Sequence, residues 1–159
     1  MAQFEYMINK KGDTWTMHLK GNMDEDVTLE DLDLNGVGCL EIDFDSVHAI
    51  NSCGIREWIK WISSINSSVQ VVYKNCPKVI VDQINMIAGF LPENGVVKSF
   101  YVPYYSEDSD MEKLILFTEG KEYNQGQINA PETIKDSDSG EDLEIDVIEA
   151  KYFKFLQAG

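Results

Sequence analysis

The chain reads as an α/β protein with a mostly parallel sheet, an antiparallel hairpin at its N-terminal edge and helices packed on it. Three observations predict this class. "QFEYMINKKGDTWTMHLKG" alternates apolar and polar residues on both sides of a glycine-containing turn, the signal of a hairpin. After Ser52 the apolar spacing changes from two to three and four, which separates a helix from the strand before it. From Cys39 to Pro103 strand-like and helix-like segments alternate, the order expected of parallel strands joined by crossovers.

Taken in order, the hairpin strands are expected at Gln3–Asn9 and Thr14–Lys20, with the turn at Lys10-Lys11-Gly12-Asp13. Thr28 with Asp31 three residues on resembles a capping pair, so a short helix is expected over Leu29–Leu34. "CLEIDF" (Cys39–Phe44) is a buried-strand pattern. Ile55, Trp58, Ile59, Ile62 and Ile65 then line one face of a helix that Asn66-Ser67-Ser68 ends. "VQVVYKN" (Val69–Asn75) is a strand, and Pro77 suits the first turn of a second helix running to Gly89. "GVVKSFYVP" (Gly95–Pro103) closes the unit as its last strand. Beyond it the composition shifts, so residues 1–103 are read as one domain and 104–159 as a small acidic accessory module. That module has one apolar run (Leu114–Thr118) and an aromatic end suited to a short closing helix.

Composition bounds the function classes. Apolar residues make up 43%, enough for a packed core, and no apolar run approaches the roughly 18 residues of a membrane span. "MAQFEYMINKK" lacks a charged region followed by an apolar run, so a cytoplasmic protein is expected. Cys39, Cys53 and Cys76 are widely spaced and form no CxxC pair, which reads as buried thiols in a reducing compartment. The net charge is -15. Residues 1–103 carry 14 acidic and 8 basic residues (-6), and residues 104–159 carry 14 and 5 (-9). Such a chain repels phosphate backbones and anionic lipid, so neither nucleic acid nor membrane is an expected partner.

"NSCG" (Asn51–Gly54), between the strand and the helix, is the junction where chemistry is most worth seeking. A nucleophile elbow needs a G-x-S-x-G-like frame and a base, and a phosphate-binding loop needs several glycines and a Gly-Lys-Ser/Thr ending. Neither frame is present, and the two histidines, His18 and His48, are read as structural. The plain reading is a helix start with Asn51 or Ser52 as N-cap.

The run "LEIDFDSVHAINSCGIREWIKWI", preceded by a hairpin and "KGNMDEDVTLEDL", resembles a STAS domain, the fold of bacterial anti-sigma factor antagonists. Asp43, Phe44, Ser46, Val47, Ile50, Ser52, Gly54 and Ile55 fit that family's strand, "DSSG" and helix pattern in place. Gly21, Met23 and Asp24 fit its "GxLD" segment. The likeness covers roughly residues 3–102. It implies a non-enzymatic, regulatory protein-interaction module whose Ser52 stands where the family is phosphorylated by a partner kinase. Asn51 replaces the usual aspartate and Cys53 the second serine, which removes an anion beside the hydroxyl. The implied partner is a kinase or anti-sigma-like switch protein docking on Asp24, Asn51, Ser52, Cys53, Gly54 and Arg56. A homodimer is compatible with the reading. Two alternatives stay open: a sensor of a small ligand or nucleotide at the same loops, and a STAS subunit of another complex with no phosphoswitch.

In the tail, Ser106 and Ser109, then Asp136 and Ser139, repeat a two-residue spacing with a 26-residue gap and a following Gly140. The frame resembles a zinc ribbon without its cysteines. Serine and isolated carboxylates are poor zinc ligands, so no metal and no cofactor are expected. Aromatic packing is expected to hold whatever ribbon shape remains.

Overall fold

Gly12, with φ +64°, lets the chain reverse in two residues between β1 (Glu5–Lys11) and β2 (Thr14–Met23), which pair antiparallel from Glu5↔Lys20 to Lys11↔Thr14. The computed structural model describes residues 3–29, 32–124 and 127–157. After an irregular crossover, β3 (Cys39–Ile50) lies parallel to β2. Two extra residues in β3 shift the register between His18 and Lys20 and between Gly21 and Asn22, and so bend its second half. Helix α1 (Ser52–Ser64), β4 (Gln70–Lys74), α2 (Lys78–Met86) and β5 (Gly95–Val97) follow. The sheet order is β1-β2-β3-β4-β5, parallel from β2 onward.

Crossovers of one hand that step steadily across a sheet place their helices on one face. Met17, Leu19, Leu40, Ile42, Phe44, Val71 and Tyr73 therefore point toward the helices and are buried. Trp58 of α1 meets Phe44, Tyr73 and Phe90 edge-on or tilted, with ring centroids 5.5 to 6.3 Å apart. Its Nε1–H donates to the Tyr73 hydroxyl at 3.0 Å, which in turn donates to the Phe90 carbonyl. The helical stripe in the sequence placed Trp58 and Ile62 correctly, but Trp61 is buried as well. The segment expected to be a helix over Leu29–Leu34 is irregular at Leu29 and at 32–34, and Asp31 lies outside the described residues.

The expected last strand, Gly95–Pro103, is two strands. Lys98 marks the break. Its amide bonds the Tyr73 carbonyl, and beyond it the chain becomes β6 (Ser99–Ser106), which keeps one parallel bridge to Cys76 and otherwise joins a second sheet. β6 runs unbroken across residues 103 and 104 and pairs along its whole length with β7 (Met111–Thr118). On its other edge it pairs with β11 (Asp142–Ile145), which pairs with β10 (Thr133–Lys135), giving a fully antiparallel sheet β10-β11-β6-β7. A two-residue ladder of β8 (Tyr123–Asn124) and β9 (Gln127–Ile128), and two helical turns, α3 (Glu149–Tyr152) and α4 (Lys154–Gln157), complete the order.

The expectation of a mostly parallel sheet with helices packed on it is thus overturned. The chain is strand-rich, its sheets are mixed and antiparallel, and among the described residues only α1 and α2 exceed four residues. The cause is local. An apolar run with period two does not say which neighbour its hydrogen bonds will find, and Lys98 hands the same run from one sheet to the other.

Phe100, fully buried in β6, is the hub of the tail. Its ring lies 5.1 to 6.1 Å from those of Phe117, Tyr123, Tyr152, Phe153 and Phe155. Phe100→Ala is expected to cost about 3–5 kcal/mol of stability in urea denaturation. Loss below about 1 kcal/mol would show that this cluster does not hold the second sheet.

Candidate functional site

The sites that the sequence singled out gather at two places. The first is the corner where β2 and β3 end and α1 begins. In open sheets of parallel strands this carboxyl end is where ligands and partners meet helix N-termini. Asn51, not Ser52, is the N-cap: its side-chain oxygen accepts from Gly54 N–H at 2.9 Å, and its own N–H donates to the Met23 carbonyl at 3.0 Å. Gly54 is required by a close approach, since a Cβ there would lie 2.1 Å from the Met23 carbonyl oxygen. That contact presses the Met23–Asp24 backbone onto the helix start, so Asp24 joins Asn51, Ser52, Cys53 and Arg56 at one corner. Asp24 is half-buried, and its carboxylate accepts from Asp26 N–H at 2.9 Å, turning back into its own loop.

Ser52 is exposed, and its hydroxyl makes no hydrogen bond among the described residues. With the cap made by Asn51 to Gly54, the N–H groups of Ser52 and Cys53 have no helical partner. The first turn carries no acidic residue. Arg56, the only arginine in the sequence, is exposed four residues on, on the same helix face as Ser52. Cys53 is half-buried and Cys39 likewise; Cys76 alone is fully buried, which corrects the expectation of three buried thiols. Burial, and secondarily Asp43, holds the Cys76 thiol well above its ordinary pKa.

Among the described residues no base is hydrogen-bonded to the Ser52 hydroxyl. The imidazole of His18 is occupied elsewhere, its Nδ1 lying 3.2 Å from Asp43 Oδ2. Clefts of about 360, 400 and 390 Å³ open beside the C-terminal half of α1, between α2 and the tail, and at the tail's turns. None of these three is lined by Asp24 or Ser52. Among the described residues no three His, Cys, Asp or Glu side chains are close enough to share a metal ion.

The second place is the pair of tail turns. The β6–β7 turn, with Ser106 and Ser109, and the β10–β11 turn, with Asp136 and Ser139, do face each other. Ser106 Oγ donates to Glu141 Oε2 at 2.8 Å and accepts from Ser109 N–H. Ser139 Oγ donates to Asp136 Oδ2 at 2.9 Å, and Lys113 Nζ bridges Asp136 at 2.5 Å and Asp138 at 3.3 Å. Charge and hydrogen bonds join these turns to each other, and the aromatic cluster around Phe100, which includes Phe117 of β7, packs the closing helices onto the sheet. Lys113 was not singled out because nothing in β7 indicates which turn it will reach.

Sequence reading also missed a polar chain on the open face of the first sheet. Asn75, in the left-handed region at φ +54°, donates through Nδ2 to Asp43 Oδ1 at 3.1 Å. Ser99 Oγ donates to Asn75 Oδ1 at 3.2 Å and accepts from Asn75 N–H at 2.8 Å. Beside it the Tyr101 hydroxyl donates to Asp45 at 2.6 Å, and that hydrogen bond, with burial, pushes the phenol up to about 12. These residues come from β3, from the position just after β4 and from β6, so no local signal unites them.

Two measurements test these sites. Gly54→Ala is expected to cost more than about 3 kcal/mol or to prevent folding, because backbone blocks the added methyl. A stable variant with unchanged melting would show that the β2–α1 approach is loose. Lys113 is the first cause that lowers Asp136 from 3.8 to about 2. A carboxyl depressed in the folded state supports the fold above pH 3.8, and that support is lost as pH falls toward 2. An NMR titration of Asp136 is expected to move back toward 3.8 in Lys113→Met; an unmoved midpoint would remove the lysine's role.

No model of a known protein family matches the chain, and no curated protein is detectably similar to it.

Proposed function

We propose that the chain is a non-enzymatic regulatory interaction module of the anti-sigma factor antagonist kind, docked by a protein partner at the Asp24–Ser52–Arg56 corner and switched by phosphorylation of Ser52. The observation that carries this reading is the state of Ser52: an exposed hydroxyl, released from capping by Asn51, at the first position of a 13-residue helix. A phosphoryl group there meets two free N–H groups and the positive end of the helix dipole. Arg56, one turn on, supplies a planar cation of the kind that pairs with phosphate.

The same group would bring nearly two negative charges to a surface that Asp24 already makes acidic. A partner seated on the neutral hydroxyl would then lose affinity through repulsion and desolvation. The missing aspartate at position 51 does not weaken the cap, since the Asn51 amide oxygen performs it. Asp24, Ser52 and Arg56 line none of the three clefts, which supports a protein surface over an enclosed small ligand at this corner.

Ser52→Asp is expected to reduce capture of the partner from extracts of the producing cells at least tenfold relative to Ser52→Ala and wild type. Equal capture by all three, or no phosphate on Ser52 by mass spectrometry of the native protein, would defeat the switch.

A further inference from the structure

In the two larger sheets four of the described strands lie at an edge: β1 and β5 in the first, β7 and β10 in the second. Open edges are ordinarily blunted by short length or by charge. β5 and β10 have three residues each, and β1 carries Glu5, Lys10 and Lys11. β7 has eight residues, MEKLILFT, and exposes Leu114 and Leu116 at 49% and 38%.

Which main-chain groups of β7 are free follows from the register. Glu119 N–H donates to the Lys98 carbonyl, one step outside the Ser99↔Thr118 pair, so Thr118 itself points away from β6. The register from there to Ser106↔Met111 is unbroken, so Leu116, Leu114 and Glu112 point outward too. At Thr118 the outward groups are already used: its N–H donates to the Glu122 carboxylate, and its carbonyl accepts from Lys121 N–H. Among the described residues nothing bonds the outward groups of Glu112, Leu114 and Leu116. The free edge is therefore three positions long, centred on Leu114.

We propose that β7 is a self-association edge, pairing antiparallel with β7 of a second copy about a two-fold axis at Leu114. In that register Glu112 lies opposite the partner copy's Leu116, and Leu114 lies opposite its own counterpart. Every free N–H and carbonyl of the one edge then finds its mate on the other. No like charges face one another, and the exposed leucines cover each other on one face of an eight-stranded sheet. Main-chain spacing is common to all strands, so the side chains select the occupant: a second copy sets Leu114 against Leu114 and keeps Glu112 clear of another carboxylate. Pairing of like edges closes, so association stops at two.

The contact is short and each copy carries a net charge of -15, so the dimer is weak and is strengthened by salt. Sedimentation equilibrium of the full chain on the order of 100 µM detects a Kd of that size. The expected result is a monomer–dimer equilibrium whose association constant rises at least tenfold from about 0.15 M to about 1 M salt as the Debye length falls to about 3 Å. Leu114→Pro removes one outward N–H and leaves the β6 ladder whole. Leu114→Lys places two ammonium groups opposite each other. Both variants are expected to be monomeric with the wild-type circular dichroism spectrum. A strictly monomeric wild type, open-ended oligomers, or a dimer that both variants retain would overturn the assignment.

Discussion

The main chain of β6 is bonded along both edges, and the neighbours on the two sides belong to different parts of the molecule. Toward one side it carries β7. Toward the other, Cys76 N–H donates to the Ser99 carbonyl and Tyr101 N–H to the Cys76 carbonyl, prolonging β4 beside it. Further along the same side, the Tyr101 carbonyl accepts the Tyr152 hydroxyl and the Pro103 carbonyl accepts Asp146 N–H, before β11 takes over at Tyr104. Proline is tolerated at 103 because its missing donor would point to this side, where β11 has not yet begun to pair. The two sheets and the closing helices thus depend on one strand whose outward groups are nearly all used.

The one-sided packing of the first sheet has a consequence for its other face. Parallel strands ordinarily have both faces covered. Here the open face is made compatible with water by a polar ladder: Thr16 to Glu41, Glu41 to Lys74, His18 to Asp43, Asp43 to Asn75, and Asn75 to Ser99. Asp43 also accepts Asp45 N–H at the point where β3 begins to bend. Ser99 is 5% exposed, so the chain runs from solvent at His18 to a buried hydroxyl at the start of β6. It ties the open face to the second sheet by hydrogen bonds.

The corner at Ser52 and the turns at Ser106 and Asp136 were legible in the sequence for a common reason. Each is a local pattern of small polar residues, and such residues make turns and caps with near neighbours. Gly54 was legible as part of a motif, but its cause, the Met23 carbonyl, was not. Lys113, Asn75 and Ser99 were not legible, because their partners are 23 to 32 residues away. Trp61, buried like Trp58, escaped because helical periodicity marks the centre of the buried stripe and not its width, which tertiary packing decides.

Hydrophobic period and turn chemistry determined where the N-terminal hairpin, α1 and α2 would form, because side-chain periodicity is imposed by each element's own geometry. They placed a helix cap at Asn51 or Ser52 as well, since a cap involves residues within one turn of helix, and the folded structure gave it to Asn51 and left Ser52 exposed. Only the tertiary structure decided that Gly95–Pro103 would be shared between two sheets, that the second sheet would be antiparallel, and that a lysine would hold the tail's turns together. Strand partners are chosen by long-range hydrogen bonding and burial, and the local alternation of a strand is the same whichever sheet it joins.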